Sequence, residues 1–218
     1  ADVDGVPMLV NGSRVGLMAV HAETGKELWK YEFAKGNMAN CNTPIYSDGY
    51  VFWACGYGKG GICLQVKGKG KKVFVRKAWE SKDADCHHGG MILHKGYLYG
   101  NNKKGLACID FKTGKTMWDS NDLDDDAENI PKGSVCWADG MFYVFGEKAG
   151  EALLCEFTPK GFKVKGRFFA EGIADKSEWT KEHDRTMGTS WAHPVVAGGK
   201  LYLRHFNKLC CYDVRDSE

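Results

Sequence analysis

Internal repetition constrains this chain more than any other feature. Four stretches share one pattern of apolar residues, a tight turn ending in Gly, and an alternating aromatic or aliphatic run. They are Ile45-Tyr46-Ser47-Asp48-Gly49-Tyr50-Val51-Phe52, Ile92-Leu93-His94-Lys95-Gly96-Tyr97-Leu98-Tyr99, Cys136-Trp137-Ala138-Asp139-Gly140-Met141-Phe142-Tyr143 and Val195-Val196-Ala197-Gly198-Gly199-Lys200-Leu201-Tyr202. A second element follows some of them. Leu17 to Trp29 and Leu106 to Trp118 align without a gap and share Thr-Gly-Lys with a Trp four residues past the Gly. A period of roughly 40 to 60 residues made of short strands marks a propeller or an array.

The local chemistry agrees. Asp-Gly, Lys-Gly and Gly-Gly between two alternating runs is the signature of a short hairpin, and the runs are rich in Tyr, Phe, Val and Leu,. No segment sustains a helical apolar period. Glycine is abundant at 28 and proline scarce at 5, which suits many tight turns without proline-rich linkers. The predicted unit is a meander of strand, hairpin, strand, loop, strand, Thr-Gly-Lys turn and Trp-bearing strand. The fold class is therefore all-β, a β-propeller of four-stranded antiparallel blades, with about five blades in one domain over 1–218. The units fall at roughly 1–38, 39–84, 85–129, 130–189 and 190–218.

The first unit, from about Pro7 to Phe33, is expected to lack its opening strand, and the last, ending at Asp213, its closing one. In the second unit the Trp strand is Val73 to Trp79, after a basic loop from Lys67 to Lys72. In the fourth, Phe168 or Phe169 stands where Trp is expected. Glu171 to Ser190 reads as a long polar connector and Asn121 to Asn129 as an acidic loop. Blade faces pack on one another, so Trp29, Trp79 and Trp118 are structural residues of the inter-blade core.

Composition excludes several classes. A net charge of +2 gives no broad field to attract nucleic acid,, and no apolar run approaches the ~18 residues of a membrane helix. No signal peptide is visible, since Ala1 to Gly5 is short and polar,. Nine cysteines include no C-x-x-C pair,. Cys63, Cys108, Cys136, Cys155 and Cys211 sit in strand contexts and read as small buried hydrophobes.

The Thr-Gly-Lys-x-x-Trp elements, Trp191-Ala192-His193-Pro194-Val195-Val196 running into Leu201-Tyr202-Leu203-Arg204, Ala39-Asn40-Cys41-Asn42-Thr43-Pro44 and His87-His88-Gly89-Gly90 resemble the pyrroloquinoline-quinone-like (PQQ-like) β-propeller repeat proteins. The resemblance covers nearly the whole chain and matches the carboxy-terminal part of such proteins. It implies a partial ring of a seven- or eight-bladed propeller. That ring would be completed by self-association or by an amino-terminal half, because open blades expose sheet edges. The family includes quinone-dependent alcohol dehydrogenases and cofactor-free scaffolds of the bacterial envelope. The resemblance thus implies a periplasmic or secreted protein, with a cytoplasmic one as the alternative. The function expected is non-catalytic binding of a protein partner, a small ligand or a carbohydrate. The alternative is a PQQ- and calcium-dependent alcohol or sugar dehydrogenase.

The opening strand of each unit should be innermost, and the residues at its start should converge at one channel mouth. This nominates Asn42, His87, His88, Ser134, Trp191 and His193 as a ligand-binding set. His87 and His193 are weak metal candidates, since imidazole suits transition metals. Neighbours on a strand face opposite ways, so only one of His87 and His88 is expected to face the channel. The adjacent Cys210-Cys211 matches the adjacent-cysteine disulfide of quinoprotein dehydrogenases in kind but not in place, and no calcium-binding set can be aligned.

Three motif matches fail on context. Gly56-Tyr57-Gly58-Lys59-Gly60-Gly61 fits G-x-G-x-x-G, but a strand follows where a dinucleotide site needs a helix. Thr113-Gly114-Lys115-Thr116 ends like a phosphate loop, yet Ile109 stands where the first Gly must be. Asp122 to Glu128 lacks the Gly and the bidentate Glu of a calcium loop. Lys67 to Lys72 is simplest as a solvated hairpin, and Asn11-Gly12-Ser13 is a glycosylation sequon only in a eukaryotic secretory pathway.

Overall fold

Every segment that reads as a strand pairs with its sequence neighbour. The computed structural model describes all residues except 37–38, 71, 104, 121, 123–129, 149, 173–188, 206 and 216–218. The described residues form nineteen strands and no helix. Blade 1 is β1 (Asp2–Val3), β2 (Val6–Gly12), β3 (Gly16–His21) and β4 (Glu27–Glu32). Blade 2 is β5 (Ile45–Ser47), β6 (Tyr50–Cys55), β7 (Gly60–Lys69) and β8 (Lys72–Ser81). Blade 3 is β9 (Met91–His94), β10 (Tyr97–Asn102), β11 (Gly105–Asp110) and β12 (Thr116–Asp119). Blade 4 is β13 (Gly133–Ala138), β14 (Met141–Gly146), β15 (Glu151–Thr158) and β16 (Gly161–Phe169). Blade 5 has β17 (Val195–Ala197), β18 (Lys200–His205) and β19 (Lys208–Asp213). All pairings are antiparallel between consecutive strands, and the five sheets do not close into a ring.

The opening hairpins share one turn. Asp4-Gly5, Asp48-Gly49, Lys95-Gly96, Asp139-Gly140 and Gly198-Gly199 all place both residues at positive φ, for example 46° and 73° at Asp48 and Gly49. That is the type I′ geometry whose twist matches the flanking strands. Asp4-Gly5 supplies blade 1 with the opening strand it was expected to lack; β1 is only two residues long. The basic run of blade 2 is a hairpin, as expected, with its strands reaching further than the sequence suggests: β7 runs to Lys69 and β8 starts at Lys72. The connector at 173–188 and the acidic run at 123–129 lie outside the described residues.

In blades 2 and 3 the middle strands β6, β7, β10 and β11 bury both faces, which is why they read as near-continuous apolar runs,. Trp53, Ile62 and Leu64 pack toward blade 1 with Met8, Leu17 and Trp29, whereas Phe52, Cys63 and Trp79 pack toward blade 3 with Leu98, Ile109 and Phe111. Tyr99, Cys108 and Trp118 meet Val135, Phe142 and Phe157 between blades 3 and 4.

The Trp residues sit at one register position. In blades 1 to 3 a β-bulge follows Ala19, Cys63 and Cys108, and opposite them stand Trp29, Trp79 and Trp118. Trp79 Nε1 donates to the Phe111 carbonyl of blade 3 at 2.9 Å, and Trp118 Nε1 to the Thr158 carbonyl of blade 4 at 2.7 Å. Trp29 Nε1 is buried with no partner. At the corresponding point of blade 2 the hairpin runs on past Val66, which pairs with Val75, so the turn itself lies further out. In blade 4 the bulge follows Leu154, and Gly166 stands opposite it. The residue in the Trp position is therefore Gly166, not Phe168 or Phe169. Phe168 lies two residues on and packs edge-to-face on Tyr212 at 4.7 Å. The blade 4–5 core is correspondingly small, built from Phe145, Ala152, Ala170, Leu201 and Leu203.

Candidate functional site

The irregular segments leading into β5, β9, β13 and β17 meet at one end of the sheets. Gly56 N–H donates to the Ala39 carbonyl at 3.1 Å and Val135 N–H to the Gly89 carbonyl at 3.3 Å. His193 Nε2 lies 3.0 Å from the His88 carbonyl, linking the lead-ins of blades 5 and 3 across blade 4. This approach needs a glycine: a Cβ on Gly90 would lie 2.6 Å from His193 Cε1, and Gly90 has φ +71°.

Four rings form a file across this end. Tyr57 and His87 are 4.7 Å apart between centroids, His87 and His88 4.7 Å, and His88 and Trp191 5.0 Å. The outer members are exposed, Tyr57 at 64% and Trp191 at 41%. Tyr57 holds φ +58°, a left-handed conformation that is an outlier for a bulky side chain and costs about 1–2 kcal/mol.

Polar groups flank the file. Glu147 follows β14, accepts from Trp191 Nε1 at 3.2 Å and pairs with Lys132 Nζ at 3.1 Å. His88 Nε2 stands 3.6 Å from Glu147 Oε1, too long for a hydrogen bond, and neither His88 ring nitrogen has one although the side chain is only 9% exposed. The His88 ring, then the Trp191 N–H and the Lys132 ammonium, hold the Glu147 carboxyl down at about 2 against the opposing effect of burial. Burial, then His88 and Lys132, lower the His87 imidazole below its ordinary value, favouring the neutral ring. Beside this group opens a depression of about 510 Å³ lined by Lys103, Pro131, Lys132, Glu147 and Lys148.

Of the residues nominated from sequence, the structure gathers His87, His88, Trp191 and His193. Both His87 and His88 rings join the file, because they lie in a bend and not in a strand, so the opposite-face rule does not apply. Asn42 is committed elsewhere: its Nδ2 donates to the Ala54 and Cys86 carbonyls at 3.0 and 2.7 Å, tying blade 2 to blade 3. Ser134 is wholly buried in β13, and its Oγ has no partner. Among the described residues no three His, Cys, Asp or Glu are grouped to hold a metal, and His193 Nε2 faces the His88 carbonyl. Sequence reading missed Tyr57 and Glu147. Tyr57 and Glu147 lie in the equivalent second-to-third-strand loops of blades 2 and 4, where no motif announces them.

Residues 3–120, more than half of the chain, match the PQQ-like repeat family described as outer membrane protein assembly factor BamB. The chain belongs to this family. No curated protein matches the sequence. Among solved structures, the BamB-family chain is similar to the computationally designed Ika8 protein at 8% identity and TM-score 0.59, covering 94% of this chain and 55% of that one. It is also similar to a europium-containing methanol dehydrogenase at 13% identity and TM-score 0.51, covering 74% of this chain and 39% of that one. The chain thus spans under two thirds of either, and at these identities the likeness concerns the fold alone.

Quinone and calcium chemistry finds a poor fit among the described residues. Cys210 and Cys211 lie in β19, the last strand of blade 5, Cys210 near the Glu171 carbonyl and Cys211 exposed. The carboxylate at the ring file, Glu147, is already held by Trp191 and Lys132.

Proposed function

We propose that the chain is a non-catalytic binding propeller of the bacterial envelope that docks a protein partner on the rim formed by Tyr57, His87, His88 and Trp191. The observation that carries this reading is the ring file with an exposed aromatic at each end, one of them in a strained backbone. Exposed Tyr and Trp anchors beside charged groups are the composition of interface hot spots, and strain of this kind clusters at functional positions. The description of the family as an outer-membrane assembly factor supports both an envelope location and a protein partner.

A photo-crosslinking phenylalanine analogue placed at Tyr57 in cells tests this. Adducts to an envelope protein are expected from position 57, lost on Trp191→Ala, and absent from the same probe at exposed Lys160 in the outer turn of blade 4. Equal adducts from both positions, or none from 57, would refute it. The alternative reading, a dehydrogenase, comes from the activity of the methanol dehydrogenase whose fold the chain shares. Added quinone and calcium are expected to give no alcohol-dependent dye reduction; such reduction would overturn the non-catalytic reading.

A further inference from the structure

Two of the nine cysteines approach each other between blades 2 and 3, in the lead-ins that support the rim. The Cys41 thiol donates to the His87 carbonyl at 3.2 Å, and the Cys86 thiol donates to Asn42 Oδ1 at 3.2 Å. Asn42 Nδ2 returns a bond to the Cys86 carbonyl at 2.7 Å. The contacts are reciprocal: each cysteine bonds the residue that follows the other. The two lead-ins therefore run side by side with their thiols on the shared flank. Cys41 is exposed and Cys86 is wholly buried, which gives one sulfur for an oxidant to reach and one held behind it.

We propose that Cys41 and Cys86 form a disulfide by exchange with a disulfide-bearing oxidant, stapling blade 2 to blade 3 beneath the ring file. Cys41 thiolate attacks one sulfur of the oxidant, whose S–S bond breaks and whose other sulfur leaves as a thiolate that takes up a proton. Cys86 then loses its proton and attacks Cys41 Sγ, expelling the second oxidant sulfur as thiol. Two protein thiols are oxidised and one oxidant disulfide is reduced to two thiols. The second step is the slow one: burial pushes the Cys86 thiol up to about 12, with the nearby Cys41 acting in the same direction, so little thiolate exists at neutral pH. Closing the loop from 41 to 86 removes chain entropy from the unfolded state. The inference does not depend on which partner docks at the rim.

The test is to incubate the folded protein with oxidised glutathione at mildly alkaline pH, block remaining thiols with N-ethylmaleimide, and map peptides by mass spectrometry. The expected product is a Cys41–Cys86 linked pair about 2 Da lighter than its two thiol peptides. A rise in Tm of about 5 °C or more should accompany it and disappear with reductant. Cys41→Ser, at an exposed position, should fold normally and lose both the link and the rise. A glutathione adduct that persists on Cys41 while Cys86 stays a thiol would overturn the proposal. So would linkage of either residue to a different cysteine.

Discussion

Replacing each inter-blade Trp by Phe separates ring burial from the hydrogen bond that the indole makes. Trp29, Trp79 and Trp118 are equally buried, at 6%, 8% and 8% exposure, so the loss of the smaller indole ring should cost each about the same. Roughly 40 Å² of apolar surface at ~25 cal/mol per Å² is about 1 kcal/mol. Trp79→Phe and Trp118→Phe also lose the hydrogen bonds to the Phe111 and Thr158 carbonyls, adding about 1–2 kcal/mol. Trp29→Phe strands nothing and removes a buried donor that has no partner, returning about 1 kcal/mol. The expected totals are about 2–3 kcal/mol at positions 79 and 118 and about 0–1 kcal/mol at 29. Urea unfolding followed by circular dichroism measures them. In thermal melts each kcal/mol is about 2–4 °C for a chain of this size. A Trp29→Phe loss as large as the other two would refute the reading that the Trp29 indole N–H is buried without an acceptor.

Two further outcomes follow from the geometry. Gly114 has φ +74°, and a Cβ there would lie 2.5 Å from the Trp79 ring, whereas Gly25 has φ +68° with open space around it. Gly25→Ala should cost only the backbone term, about 1–2 kcal/mol, and Gly114→Ala about 1–3 kcal/mol more from overpacking; equal melting losses would contradict the ring contact. Glu147 is held down at about 2 from an ordinary 4.5, so its stabilisation is complete above the unfolded pKa and is lost as pH falls through about 2. Glu147→Gln should therefore be less stable than the parent at pH 6, with the gap closing between about pH 4.5 and 2; a gap constant with pH would refute the role given to the carboxylate.

The turns were legible because their chemistry is local. A type I′ turn demands φ > 0 twice, and Asp-Gly or Lys-Gly between apolar runs says so directly. Asp4-Gly5 says the same, but the strand before it is too short to complete the pattern. The Trp rings were legible as inter-blade core, while the acceptor each one finds depends on where the next blade turns. Phe168 looked like the missing Trp because letter spacing cannot see strand register, which sets Gly166 opposite Leu154. At the rim, equivalence of the lead-ins named His87, His88, Trp191 and His193, which the fold brings near one another. It also swept in Asn42, since a polar residue that lines a site and one that satisfies buried backbone look alike in sequence. Tyr57 and Glu147 reach the rim from loops whose sequences do not repeat, so only the folded arrangement shows them.

The central claim is that lead-ins from non-adjacent blades converge on one end. The measurement that tests it most directly is a nuclear Overhauser contact between the His193 ring Hε1 and the Gly90 Hα protons, in protein labelled at histidine and glycine. Packing of the His193 ring on Gly90 predicts a strong cross-peak. Its absence, with both resonances assigned and the fold intact, would contradict the convergence and with it the rim.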